Sequence, residues 1–171
     1  RLRQKGIKFL VVIPKNKNTI YPEYVPKKIP VAMAPSRYDQ LMEYMRLHGA
    51  TQILDLRPAL LEARKTRVVY FSRDTHWNDY GAFIGYQQIM QALQVDFPNL
   101  KPHPLSDYEQ TTQAGVALDL AEIMAAPDLQ TDDIVLSPLY ASNTTYTQTK
   151  YGYRSLRIGT NPNTALPKMV I

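Results

Sequence analysis

Short apolar runs, each too brief for a helix and separated by helical patterns, constrain this chain most. Residues 8–13 (KFLVVI) are β-branched and closed by Pro14, and residues 68–71 (VVYF) have the same character. Residues 134–136 (IVL) repeat it ahead of Pro138, and residues 169–171 (MVI) begin another such run. Runs without polar alternation suit strands covered on both faces, as in parallel sheets. Helical periodicity fills the intervals. Residues 39–47 start a stripe of Leu41, Tyr44, Met45 and His48, and residues 58–64 suit a short helix. Residues 78–93 carry the longest stripe, Tyr80, Phe83, Ile84, Met90 and Leu93, with Pro98 beyond it. Residues 119–124 suit another short helix, ended by Pro127. Strands alternating with helices predict an α/β domain with a mainly parallel sheet. At 171 residues the chain suits one domain with a real core. The thirteen prolines concentrate in IYPEYVPKKIPVAMAP, which reads as an ordered, irregular excursion.

Composition removes several function classes. No apolar run approaches the roughly 20 residues of a membrane span. The absence of cysteine excludes disulfides, thiolate zinc sites and cysteine nucleophiles within these residues. The formal charge of +5 is uneven: residues 1–28 hold eight Lys/Arg against Glu23 alone, and the remainder has twelve basic and fourteen acidic residues. Such a segment attracts anionic polymers or lipid, or is simply a solvated edge of the fold. No basic stripe is interleaved with stacking aromatics, so nucleic acid is not an expected partner. A chain beginning at Arg1 is read as trimmed, leaving room for a lost targeting segment.

The chemistry concentrates in RDTHW, residues 73–77, directly after one apolar run and before the longest helical pattern. In open parallel sheets, sites gather beyond the carboxyl ends of strands. Residues i and i+2 of an extended segment point the same way, so Asp74 and His76 can act together there. His76 suits a general base, because imidazole titrates at about 6.5. Asp74 would fix its tautomer and stabilise the imidazolium. Two other readings stay open. Asp74 can cap the following helix with His76 a surface residue, or the pair can belong to a metal site. A metal needs three or four ligands. His48 and His103 are not spaced with the triplet, and Asp79 leaves the set incomplete, so no metal set is assigned. The serines at 36, 72, 106, 137, 142 and 155 lack an elbow motif; Ser137 follows a strand, but Pro138 disfavours a strand-to-helix turn.

The stretch DTHWNDYGAF resembles the Asp-x-His-Trp signature of SGNH-hydrolase-like O-acetyltransferases that modify alginate and related exopolysaccharides, the DHHW-type proteins. FLVVIPKNKNTIYPEYVP, ILDLRPALLEAR, VYFSRDTHWNDYGAFIGYQQIM and DLAEIM resemble that group in the same order. The resemblance implies an SGNH-hydrolase-like (flavodoxin-like) three-layer α/β domain over residues 1–171, with a mainly parallel central sheet that is incomplete at its C-terminal end. Asp74 and His76 match the family's catalytic Asp and His. Trp77 and Tyr21 match motif positions; both are candidates for the substrate side, but for Trp77 packing beneath the loop is the favoured role. Leu118 stands where relatives often carry glycine. The family's serine follows a strand such as KMVI, so the nucleophile and its oxyanion-hole donors are expected after Ile171. The 171 residues alone would then be inactive.

The implied activity is acetyl transfer through serine to a polysaccharide, without a cofactor, with an anionic polymer best suited to the basic first segment. The implied partners are that acceptor and an acetyl donor or acetyl-carrying membrane protein. The implied location is periplasmic or at the cell surface. The alternatives are a carbohydrate acetylesterase and a non-catalytic carbohydrate-binding or assembly module of the same fold.

Overall fold

The computed structural model describes residues 2–29, 35–49, 51, 53–116, 119–126, 128–129, 131–140, 145–151 and 154–160. The chain forms two compact units, Arg1–Ser137 and Pro138–Ile171. In the first, β1 (Val11–Val12) pairs in parallel with β2 (Ile53–Leu54), Val11 opposite Ile53 and Val12 opposite Leu54. A four-residue helix, α1 (Lys17–Ile20), follows β1. Helix α2 (Arg37–His48) opens on a capping box: Ser36 Oγ accepts the Asp39 N–H, and the Asp39 carboxylate accepts the Ser36 N–H. Helix α3 (Arg57–Ala63) carries Pro58 in its first turn, where a missing N–H costs nothing. Helix α4 (Asp79–Gln94) packs against α3 and is capped by Asn78, whose side-chain oxygen accepts the Gly81 N–H at 2.9 Å. Strand β3 (Tyr108–Val116), helix α5 (Asp119–Ile123) and strand β4 (Thr131–Pro138) complete this unit, with β3 and β4 paired. In the second unit, β5 (Thr145–Tyr151) and β6 (Arg154–Thr160) form an antiparallel pair.

The core is built where α3 turns one face inward. Leu60 and Ala63, three residues apart and therefore on one face, meet Ile20, Leu56, Val69 and Tyr70. Val12, Leu54, Trp77, Tyr80 and Ile84 pack around this cluster. The floor of the RDTHW loop is thus the core itself, because Val69 and Tyr70 lead directly into it. Leu60 is completely buried, so Leu60→Ala is expected to destabilise the protein by about 2–5 kcal/mol, read as a lower urea midpoint at unchanged m-value.

The four expected helices are present, with ends within two residues of those expected. The strands differ more. Of residues 8–13 only Val11–Val12 pair, residues 134–136 widen into β4, and residues 169–171 lie outside the described residues. The expected strand at 68–71 reduces to one bridge, Tyr70 to Trp77. Its backbone groups are taken by other partners: Val69 N–H donates to Tyr21 Oη, Val69 O accepts the Asn78 N–H, and Val68 O accepts the Asn78 side chain. The β1–β2 pair is parallel and each sheet among the described residues has two strands, so the expected mainly parallel central sheet is not seen in them as one continuous sheet.

Candidate active site

The loop between Tyr70 and Trp77 closes on itself through that bridge and through Phe71 N–H donating to His76 O at 3.3 Å. Within it Asp74 is buried and His76 exposed. Asp74 Oδ1 accepts the backbone N–H of His76 at 2.7 Å and stands 2.5 Å from His76 Nδ1. The two residues therefore meet through an Asp turn of the i to i+2 kind, rather than by pointing the same way along an extended strand. A carboxylate at that distance makes Nδ1 the protonated nitrogen and leaves the lone pair on Nε2. The imidazole is 74% exposed, so Nε2 faces solvent and a reactant can reach it.

Burial opposes ionisation of Asp74, but the His76 N–H, the His76 ring and the Asp119 N–H prevail and hold its pKa below the usual carboxylate range. A depressed native pKa adds stability that is fully present above the unfolded value of about 3.9 and is lost as pH falls through the native value. Asp74→Asn removes this term. Its unfolding midpoint should therefore respond less to acidification below about pH 4 than the wild type's, as measured by urea melts.

Asp119 is the residue the sequence offered only as a helix start. Its carboxylate accepts the Thr75 N–H at 2.8 Å and the Thr75 hydroxyl, and its Oδ2 lies 3.7 Å from His76 Nδ1. Leu120 N–H donates to Arg73 O, so the start of α5 is sewn to the loop at two further points. The cap on the following helix, the alternative role open to Asp74 from sequence, belongs instead to Asn78. Asp74, His76 and Asp119 also offer three ligand atoms within 4.8 Å of one another, with Asp119 in place of the Asp79 considered from sequence. Asp79 instead accepts the Leu136 N–H and ties β4 to α4. Both carboxylates of the cluster accept hydrogen bonds from the loop, Asp119 from Thr75 and Asp74 from His76.

Lys17 was legible only as one of many basic residues. Its ammonium turns inward and donates to three loop carbonyls, Phe71 O at 2.7 Å, Ser72 O at 2.8 Å and Asp74 O at 3.0 Å. Lys15, also in the basic segment, is buried against Asp55 and the face of Tyr38, and Lys8 pairs with Asp96. Part of the segment's charge is therefore spent on structure, which a count of lysines does not reveal.

A cleft of about 480 Å³ adjoins the loop, lined by Asn16, Lys17, Tyr21, Tyr24, Thr75 and Leu120 among others. Tyr21 reaches it, but its hydroxyl serves Val69, its ring meets Tyr70 edge-on and Arg64 lies over its face. Tyr24 is 77% exposed. Trp77 packs against the core, its ring close beneath Gly85. Of the serines considered, Ser36 caps α2 and Ser72 donates to Thr131; no described serine is hydrogen-bonded to His76. Ser142 lies outside the described residues.

Solved structures share this architecture. The O-acetyltransferase domain of Pseudomonas putida AlgJ superposes with a TM-score of 0.57 at 23% identity, covering 81% of this chain and 52% of that one. Bacillus cereus PatB1 with a sulfonyl adduct superposes at 0.65 and 19% identity, covering 92% and 50%. The fold is that of an SGNH hydrolase-like domain. By sequence, the family model described as "SGNH hydrolase-like domain, acetyltransferase AlgX" matches residues 1–155, and the chain belongs to that family. Two curated relatives, each named "Probable alginate O-acetylase AlgJ", are 30% identical over 81 residues (Pseudomonas aeruginosa) and 28% identical over 97 residues (Pseudomonas syringae pv. tomato). These matches take in 47% and 57% of this chain but only 20% and 25% of the relatives, and the chain spans about half of each solved structure.

Proposed function

We propose that the whole protein is a polysaccharide O-acetyltransferase in which His76 is the general base and Asp74 its orienting carboxylate. The observation that carries this reading is the 2.5 Å contact of His76 Nδ1 with buried Asp74, opposite an Nε2 open to solvent. A serine hydroxyl, supplied from outside the described residues, gives its proton to Nε2 and attacks the acetyl donor. His76 returns that proton to the leaving group. A sugar hydroxyl then loses its proton to Nε2 and attacks the acetyl-serine, and the regenerated serine recovers the proton. Asp74 stays ionised and stabilises the imidazolium at both stages.

The acceptor is a polysaccharide, an alginate-like polymer being favoured by the names of the relatives. The donor is an acetyl carrier, either a small acyl donor or an acetyl-carrying membrane protein, and the location is periplasmic or at the cell surface. The fold reading extends likewise to a single three-layer domain whose mainly parallel central sheet draws on residues beyond those described. Trp77 is assigned to packing beneath the loop, and Tyr21 to one wall of the adjoining cleft. Water in place of the sugar would give acetylester hydrolysis.

The test uses the natural full-length protein, its His76→Ala variant and protein treated with a chelator. Each is assayed for acetyl transfer to oligosaccharides and for hydrolysis of a chromogenic acetyl ester. Activity that survives chelation and is lost in His76→Ala supports the acyl-transfer reading. Activity lost on chelation and restored by a divalent cation would replace it with a metal-assisted hydrolase built on Asp74, His76 and Asp119. Oligosaccharide binding without turnover, insensitive to His76→Ala, would replace it with the non-catalytic module.

A further inference from the structure

We propose that Lys17 is a positioning residue of this site, its ammonium holding the loop that presents Asp74 and His76 in the conformation proton transfer requires. The proposal rests on the reading of the loop as an acyl-transfer site and adds a residue 57 positions from Asp74 in sequence. An ammonium has three N–H donors, and here each meets one main-chain carbonyl of the loop, those of Phe71, Ser72 and Asp74. The carbonyl of Arg73 accepts the Leu120 N–H. All four consecutive carbonyls from Phe71 to Asp74 are thus occupied, and three of them depend on one side chain. Without it, three carbonyl dipoles would converge on one point with no protein donor to hold them together there, leaving them to mobile water from the adjoining cleft.

The anchor is rigid at its other end. Lys17 opens α1, and Ile20 at the end of that short helix is fully buried in the core. Burial lowers the pKa of the Lys17 ammonium, and the carboxylates of Asp74, Asp119 and Asp133, which favour the charged form, offset part of that cost. A tetrahedral ammonium fits three acceptors converging from different directions, whereas the planar fork of arginine does not. Lys17 touches none of the reacting atoms; it acts through the loop.

The experiment is a chemical replacement of the ammonium in the full-length protein. These 171 residues contain no cysteine, so Lys17→Cys introduces the one thiol within them. Its thiolate displaces bromide from 2-bromoethylamine, giving a side chain that again ends in an ammonium. Iodoacetamide, losing iodide, gives a neutral one. The Lys17→Cys variant is expected to lose about 10²-fold in kcat with KM unchanged. Aminoethylation should restore kcat, and carbamidomethylation should not. Lys17→Arg, which keeps the charge and the fold, should remain as impaired as the cysteine variant.

Wild-type kcat in Lys17→Cys or in Lys17→Arg would overturn the proposal. So would a rise in KM at constant kcat, which would make Lys17 a substrate ligand, or a loss that aminoethylation does not repair. If the wild-type protein transfers no acetyl group at all, the acyl-transfer reading fails on its own. The brace is then read from the proton resonance of the His76 Nδ1–H, which should be present in the wild type and lost to exchange in both variants; an unchanged resonance would overturn it.

Discussion

Replacing His76 with alanine in the full-length protein is expected to lower kcat for acetyl transfer by about 10²–10⁴-fold, the usual share of a positioned general base. KM should change little if, as proposed, the exposed ring serves proton transfer rather than holding the polymer. Asp74→Asn tests the same pair from the other side. The carboxamide nearly preserves shape, yet its NH₂ can present a donor to Nδ1, which favours the tautomer with the proton on Nε2 and leaves no lone pair there for the hydroxyl. In the Ser-His-Asp template that exchange costs on the order of 10⁴-fold, and a similar loss is expected here. The double variant should be little worse than either single one, since the two side chains act as a unit. Additive losses, measured as kcat/KM across the cycle, would mean that Asp74 and His76 work independently.

Gly81→Ala should be the most damaging small change to the fold. A methyl at Gly81 would stand 2.0 Å from Val69 O and 3.1 Å from Trp77 Cβ, whereas Gly85→Ala would meet only side-chain atoms of Trp77 and Leu56, the nearest at 3.0 Å. Alanine gains about 1 kcal/mol over glycine in helix propensity. At Gly85 a small tilt of the indole lets that gain offset much of the contact. At Gly81 the neighbour is main chain, and its carbonyl already accepts the Asn78 N–H, so neither partner can yield cheaply. Overpacking of this kind costs about 1–3 kcal/mol and occasionally more, and a contact this short belongs at the upper end. A net loss of about 2 kcal/mol or more corresponds to a fall in Tm of roughly 4–8 °C for a chain of this size. Acetyl transfer should fall as well, because Val69 and Asn78 bracket the loop that holds Asp74 and His76. A Gly81→Ala protein with wild-type Tm would show that α4 and the Val69 segment can separate freely.

Helices were legible because their information is local. Ser36 and Asp39 lie three residues apart and bond to each other, and Asn78 bonds Gly81 three residues on. The contact of Asp74 with His76 is equally local, two residues across one turn, so DTH carries its chemistry on its face. The strands β5 and β6 carry no continuous apolar run; polar residues are interleaved with Tyr, Leu and Ile in TYTQTKY and RSLRIGT, so apolar runs alone do not mark them.

By itself, then, the sequence determined the four longer or well-marked helices and the pair Asp74–His76, since each is set by hydrogen bonds within a few residues. Tertiary structure alone decided that Lys17 turns inward, that Asp119 grips Thr75 across 44 residues, and that Gly81 lies against Val69. Nothing near Lys17 in the chain distinguishes it from Lys27 or Lys28. It gains three partners only because burying Ile20, Leu60 and Tyr70 in one core brings α1 beneath the loop, and a contact created by burial has no signature in either segment alone.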